Sequence, residues 1–516
     1  MRIRLLGALL ALAAAPLAAQ DSTAAAAPVA VDTTGAGALI KEATEHSMVM
    51  KNLEYLSDRI GPRLTGSPAA YKANTWTMDR FREYGLSISL ESWLFGVAWV
   101  RGPVQFQIVE PFTRNLVGHS WAWTQGTGGK VLECKVIRVN VSTPESLAVY
   151  QDKVKGAWLM TANPAPVWNP DGPPMTAEDS ASQRAFFQRM FNPSADTSAE
   201  ARKKRQQFNV DRPWMLQQAG ALGILTDGGK EFGLMNMSGS PDAVSPLPRL
   251  VIAHEDYAML ARLIDDGTTP KVSGRIDNTF GDSVVHQWNT VAEIRGSDKP
   301  DEVVILGAHL DSWDLGEGTT DNGTGSMVVL EAARIISQSY SKPKRTIRFV
   351  LFTGEEQGLL GSKAYAEQHA SEMDKIQAVL VLDNGTGAIT GMSLQGRSQD
   401  AQLWKDLFAP LSQFGSFVVK DGNKGGTDHL SFIPYGVPGW NYDQISRGYN
   451  HTHHSQVDTY DHAVPGDLVQ ASAVMAVTAF ELANLPELLP RGPVTPVQPR
   501  MAMAPSAGLD KSKKKK

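Results

Sequence analysis

Between about Asn289 and Leu489, short aliphatic runs alternate with helical stretches, and this rhythm limits the possible folds more than any other feature of the chain. Val303-Val304-Ile305-Leu306, Thr346 to Thr353 and Ala378 to Leu382 read as strands, with helical runs at about 325–339 and 359–369 between them. Such alternation predicts an α/β fold: a mostly parallel mixed sheet with helices on both faces. Sites in these sheets form outside the carboxyl ends of the strands. Five clusters of acids and histidines stand out, four of them just after, or one short loop beyond, an apolar run or predicted strand. They are His309-Leu310-Asp311, Asp321-Asn322-Gly323, Glu355-Glu356, Asp383-Asn384 and His454-Ser455-Gln456-Val457-Asp458. Such a set of oxygen and imidazole donors reads as a metal site, and the pattern is that of a two-metal hydrolase.

At 516 residues the chain is long enough for several domains. Residues 38–124 and 276–489 read as two parts of the α/β domain. The stretch 125–275 differs in texture, with short strands such as Ala157 to Met160 and Gly223 to Thr226 set among Pro- and Gly-rich loops. It reads as an inserted domain, with a polar, partly helical segment from about Thr176 to Arg212. Near the start, one helix is expected from Ala38 through Leu56 and another from about Ala69 to Tyr84, leading into a strand from Leu86 to Trp93.

Residues 1–20 combine Arg2 and Arg4, an apolar run from Leu5 to Ala15 and small residues up to Gln20, the pattern of a cleaved secretory signal peptide. The run is too short for a membrane span, so an exported, secreted or periplasmic protein is expected. Residues 21–37 read as a flexible lead, and 490–516 as a disordered tail rich in Pro and Lys. A net charge of −5 argues against general nucleic-acid or anionic-membrane binding. Cys134 is the only cysteine, which rules out an internal disulfide and thiolate-rich zinc clusters. Its place in the strand-like run Val131 to Ile137 speaks against catalysis.

Each donor has a chemical reason to be where it is. Asp311, two residues after His309, can accept a hydrogen bond from the far ring nitrogen and fix the imidazole tautomer. Asp321 opens a helix, where a carboxylate can cap or bridge two metals. The adjacent acids Glu355 and Glu356 follow an apolar strand and are costly there unless paired or metal-bound. Their side chains diverge, so one can ligate while the other acts as general base. His451, His453 and His454 offer three imidazoles among which spacing does not choose. Three carboxylates (Asp321, Glu356 and Asp383) and a bridging hydroxide roughly balance two Zn2+, with neutral histidines as terminal ligands. The donor set suits zinc without excluding cobalt or manganese.

At these residues the chain resembles the M28 family of co-catalytic zinc peptidases, in particular its plasma glutamate carboxypeptidase (carboxypeptidase Q) branch. The matching text includes His309-Leu310-Asp311-Ser312, Thr320 to Gly325, Gly354 to Leu359, Asp383-Asn384 and His454 to Thr459. Ile60 to Ser67 and Trp99-Val100-Arg101-Gly102 also fit. The resemblance implies two Zn2+ per chain, with His309 and Asp383 on one, Glu356 and His454 on the other, and Asp321 bridging them. Glu355 would be the general base toward a metal-bridging hydroxide, Asp311 would orient His309, and Thr427-Asp428-His429 would line the site. The inserted stretch resembles a protease-associated domain flanking the cleft. Asp321-Asn322 stands where many relatives have two acids, a mild departure because the first acid is the ligand. The implied activity is hydrolysis of dipeptides or short peptides as an aminopeptidase, carboxypeptidase or dipeptidase, and the branch implies a homodimer. A glutaminyl cyclase-like acyltransferase and a non-catalytic binding protein are the alternatives on the same fold.

Overall fold

The computed structural model describes residues 35–165, 199–338 and 342–497. The expected signal peptide, the lead up to residue 34, residues 166–198 and the tail past 497 lie outside the described residues. Among the described residues no helix is long and apolar enough to cross a membrane.

Two eight-stranded sheets organise the chain. In the first, Ser87–Val100 and Thr279–Ile294 form an antiparallel edge beside a parallel centre of Arg345–Phe352, Lys299–His309, Ile376–Val381 and Gly439–Gln444. Ile389–Ser393, antiparallel to Gly439–Gln444, and Val418–Lys420 complete it. The central strands form because their aliphatic residues are buried on both faces. Val304, Leu306, Phe349 and Leu380 pack into one cluster with the helices Ala36–Glu45, Thr324–Ser337 and Pro465–Asn484. Their neighbours Ile305, Val350 and Val379 pack into another with Tyr365 and Ala366 of helix Leu360–Gln368. Each fully buried aliphatic side chain contributes about 1.5–3 kcal/mol, so both layers hold the sheet.

The second sheet is built from strands between Val104 and Ile276, ahead of as well as within the stretch whose texture changes near Gln125. Its parallel run is Leu132–Arg138, Ala157–Met160, Gly223–Asp227 and Arg249–Ile252. Helix His254–Asp265 covers one face, and Leu216 of helix Ala199–Gln218 packs on the other. Cys134 is buried in this sheet, where desolvation pushes its thiol up to about 11. A cluster containing Phe95, Trp99, Trp123, Met235, Met237 and Trp313 joins the two sheets.

The single early helix expected over 38–56 is divided. It stops at Glu45 and resumes at Val49, because the Met48 amide donates to Glu331 Oε1 (3.0 Å) rather than to the preceding turn. Residues 490–497, expected to belong to the disordered tail, are instead tied to the first sheet's surroundings. Arg491 donates to the carbonyls of Met373 and Ile376, and Thr495 N donates to Pro434 O (2.8 Å).

Candidate metal centre

The register of the parallel strands decides which loops meet. His309 is level with Phe352, and Gly307 is level with Val381. His309, the turn Thr353 to Glu356 and Asp383 therefore emerge at one edge. That turn needs its glycine: Gly354 has φ 74°, and a Cβ there would lie 2.6 Å from the Trp93 ring. Asp321 arrives from the loop before helix Thr324–Ser337, and its peptide bond to Asn322 is cis. Asn322 fastens that loop, donating to Leu382 O (2.9 Å) and accepting from Gly325 N (3.1 Å). Its amide thus ties the Asp321 loop to the strand end that carries Asp383 by a donated bond that an ionised carboxylate could not make.

Asp321 sits between two groups of donors. Its Oδ1 lies 3.3 Å from His309 Nε2, which is also 3.3 Å from Asp383 Oδ1. Its Oδ2 lies 3.4 Å from His454 Nε2, which is 2.9 Å from Glu356 Oε2. Two sets, His309 with Asp321 and Asp383, and Asp321 with His453 and His454, each bring one donor atom per residue within 4.8 Å of the others. His453 and His454 stack with centroids 3.7 Å apart. The His453 side chain is 42% exposed and 3.8 Å from Asp321 Oδ2; that of His454 is 22% exposed and nearer. His451 joins neither set. Glu355 lines the cleft with its Oε2 3.9 Å from His309 Nε2.

This concentration of buried acids does not balance itself. Burial pushes Glu355 well above the usual carboxylate range, with Asp383, Asp428 and Glu356 adding to the rise. Burial and Asp321 do the same to Glu356. Burial also opposes ionisation of Asp321 and protonation of His309. Contact between the two outweighs it, keeping Asp321 low and, with Asp383 and Glu355, His309 high. Asp321 Oδ2 and Glu356 Oε1 are buried without a hydrogen-bond partner. Orphaned carboxylate oxygens facing imidazoles are what a divalent cation satisfies, and the oxygen and nitrogen donors fit zinc.

Several further groups support these donors, some of them singled out in the sequence and others not. Asp311 meets His309 Nδ1 through its main-chain carbonyl (3.0 Å), while its carboxylate Oδ1 lies 3.6 Å away. That carboxylate instead accepts from Thr65 Oγ1 (2.8 Å) and the amides of Glu355 (3.3 Å) and Glu356 (3.4 Å), so it aims the turn as well as the ring. Asp458 accepts from Thr320 N, Thr320 Oγ1 and Asp321 N. Arg63, fully buried, donates to the carbonyls of Leu310, Glu317 and Gly318. Asp428 and His429 are buried on the turn Asp428–Ser431. The second-sheet region reaches in as well. Lys230 Nζ donates to Asn450 O (2.6 Å) and His453 O (2.7 Å), and Met237 N donates to His454 O (2.9 Å). The donors open on a cleft of about 400 Å3 that Gly425, Gly426 and Tyr449 also line.

Residues 289–479 match the family described as Peptidase family M28. Carboxypeptidase Q of Rattus norvegicus is 36% identical over 251 residues, 48% of this chain and 52% of that protein. The chain spans about half the length of the curated relatives it matches. The crystal structure of a Peptidase M28 precursor from Shewanella amazonensis SB2B superposes with a TM-score of 0.70 at 25% identity, over 89% of this chain and 98% of the other. A zinc aminopeptidase from Bacillus subtilis shares the fold, with a TM-score of 0.58 at 16% identity over 85% and 97%.

Proposed function

From the match of residues 289–479 to Peptidase family M28, we propose that the chain is a member of that family and an exported zinc-dependent exopeptidase acting on dipeptides or short peptides. The carrying observation is Asp321, whose two oxygens face different imidazoles at 3.3 and 3.4 Å. In this reading His309 and Asp383 would hold one Zn2+ and Glu356 and His454 a second, with Asp321 shared between them. Zinc bound there would supply Lewis-acid activation of the scissile carbonyl and of the attacking water. Glu355 takes the proton from that water and returns it to the leaving amine. Its raised affinity for a proton, set by burial and neighbouring acids, suits both halves of the transfer. Asp311 holds the Glu355-Glu356 turn and the His309 ring in register.

The unit between Val104 and Ile276 acts here as a protease-associated-like insert beside the cleft, limiting substrate size. Its contacts with the loop Asn450 to Gln456 support that placement. The N-terminal residues 1–20 support export, and the family branch supports a homodimer, which light scattering of the purified chain reads directly.

The test is product analysis by LC–MS. Zinc-loaded protein is given a free dipeptide, its N-acetyl form and its C-terminal amide. Cleavage of the free dipeptide and the amide means amino-terminal recognition. Cleavage of the free and N-acetyl forms means carboxy-terminal recognition, and cleavage of the free form alone a strict dipeptidase. If none is cleaved, the exopeptidase reading falls.

A further inference from the structure

Among the described residues, most buried or half-buried arginines pair with an acid, and Arg63 donates to main-chain carbonyls. Arg101 pairs with Asp314, Arg334 with Glu331, Arg345 with Glu302, Arg348 with Glu293 and Arg397 with Asp400. Arg249 and Arg212 line the same pocket of about 260 Å3 in the second-sheet region, and no acid lines it among the described residues. The Arg249 guanidinium lies 3.8 Å over the Trp121 ring, and its Nε donates to Thr226 Oγ1 (2.7 Å). Its two terminal nitrogens bond no described residue. Among the described residues, Arg212 bonds the Val141 carbonyl alone, through Nη1 at 3.4 Å.

Two like charges, largely removed from water and with no acid among the described residues of their pocket, are costly unless something offsets them. Burial pulls Arg249 down to about 10, and the repulsion from Arg212 adds to this. The rest of the wall supplies hydroxyl groups rather than acids, among them Ser238, Ser240, Ser245 and Thr161. A stacked guanidinium whose terminal donors bond no described residue, a second guanidinium and several hydroxyls together match an oxyanion.

We propose that this pocket is a binding site for a small oxyanion, a carboxylate or phosphate group gripped by Arg249 and Arg212. It shares no lining residue with the candidate metal centre. The two are nonetheless close along the chain: Ser238 of the pocket follows Met237, whose amide holds the His454 carbonyl.

Titration calorimetry of the full zinc-loaded chain tests the site, with inorganic phosphate and succinate as probes against chloride at matched ionic strength. Saturable binding of at least one probe is expected, weakened about tenfold or more by Arg249→Gln and measurably by Arg212→Gln. Tighter phosphate binding identifies a phosphorylated ligand, and tighter succinate binding a carboxylate one. If neither probe saturates, the proposal fails. It also fails if binding is unchanged in both variants, because the ion then sits at the metal centre. Should Arg249→Gln not fold, Arg212→Gln alone must show the loss. The heat of binding does not depend on peptidase activity, so this result and the exopeptidase reading stand or fall separately.

Discussion

Both sheets contain a run of four parallel strands, yet the loops at their carboxyl ends are chemically unlike. At the second sheet, Asp227 ends a strand and pairs with His254 (3.1 Å), an acid and imidazole arrangement that superficially resembles the first sheet's. Asp227, however, also accepts from the amides of Ala165 (2.7 Å) and Gly229 (2.9 Å), so its oxygens are satisfied within the fold. At the first sheet, oxygens of Asp321 and Glu356 are buried with no donor. Position at a strand end is therefore common to both; unmet hydrogen-bonding capacity is what separates a candidate site from scaffold.

The sharpest way to break that contrast is to remove one acid from each sheet. Asp321→Ala is expected to abolish zinc retention and turnover, whereas Asp227→Ala keeps the metal and costs about 1–3 kcal/mol of stability. Metal analysis by mass spectrometry with urea unfolding reads both. Equal zinc content in the two variants would end the distinction drawn here. Within the first sheet, Glu355→Gln separates chemistry from metal binding. Its kcat should drop by about 10²–10⁴ with zinc still near two per chain. A wild-type content near one per chain would instead favour the cyclase-like alternative.

The strands of the first sheet were legible because they are buried on both faces and so read as unbroken aliphatic runs, as at Val303 to Leu306. Asp311, Glu355, Glu356 and Asp383 were legible because each follows such a run within a few residues, whereas Asp321 was legible from its place at the opening of a helix. Residues quoted from the sequence (His309, Asp321, Glu355, Glu356, Asp383 and His454) are the ones that converge, and their roles rest on the proposal above. Other features had no local signature. The break at His46 depends on Glu331, nearly three hundred residues away. Arg63 and Lys230 act on main-chain carbonyls of distant loops, and nothing in the periodicity of a sequence marks which carbonyls lack a donor. The pairing of Arg249 with Arg212 is likewise set by tertiary packing alone.

A titration extends the comparison to the groups behind the cleft. Burial holds His429 down to about 4, below the usual imidazole value of about 6.5. A depressed folded pKa means that the unfolded chain binds the proton more readily. Stability from keeping this ring neutral is therefore full above about pH 6.5 and is lost as pH falls toward 4. His429→Gln should remove that sensitivity. The stability gap between wild type and variant should shift by about 2–3 kcal/mol between pH 7 and pH 4.5 in urea unfolding. An unchanged gap would mean that the ring is solvated or paired and that its burial does not matter.

The smallest expected effect asks whether the two sheets work together. Lys230 belongs to the second-sheet region, yet its ammonium holds carbonyls of the loop carrying His453 and His454. Taking that ammonium away leaves those carbonyls to water and frees the loop to sample other positions, without touching any proposed ligand. Outer contacts of this kind typically change metal affinity or activity by about 10–100-fold. Because Met237 N and Gln456 still tether the loop, Lys230→Met is expected at the low end, about tenfold in kcat/KM. Competition with a zinc chelator should show one of the two ions leaving more easily, the one assigned to His454, while the other is held as in the wild type. If both ions loosen equally, the arm from the second sheet supports the whole edge rather than one ligand. If neither changes, the second sheet bounds the cleft without tuning its chemistry.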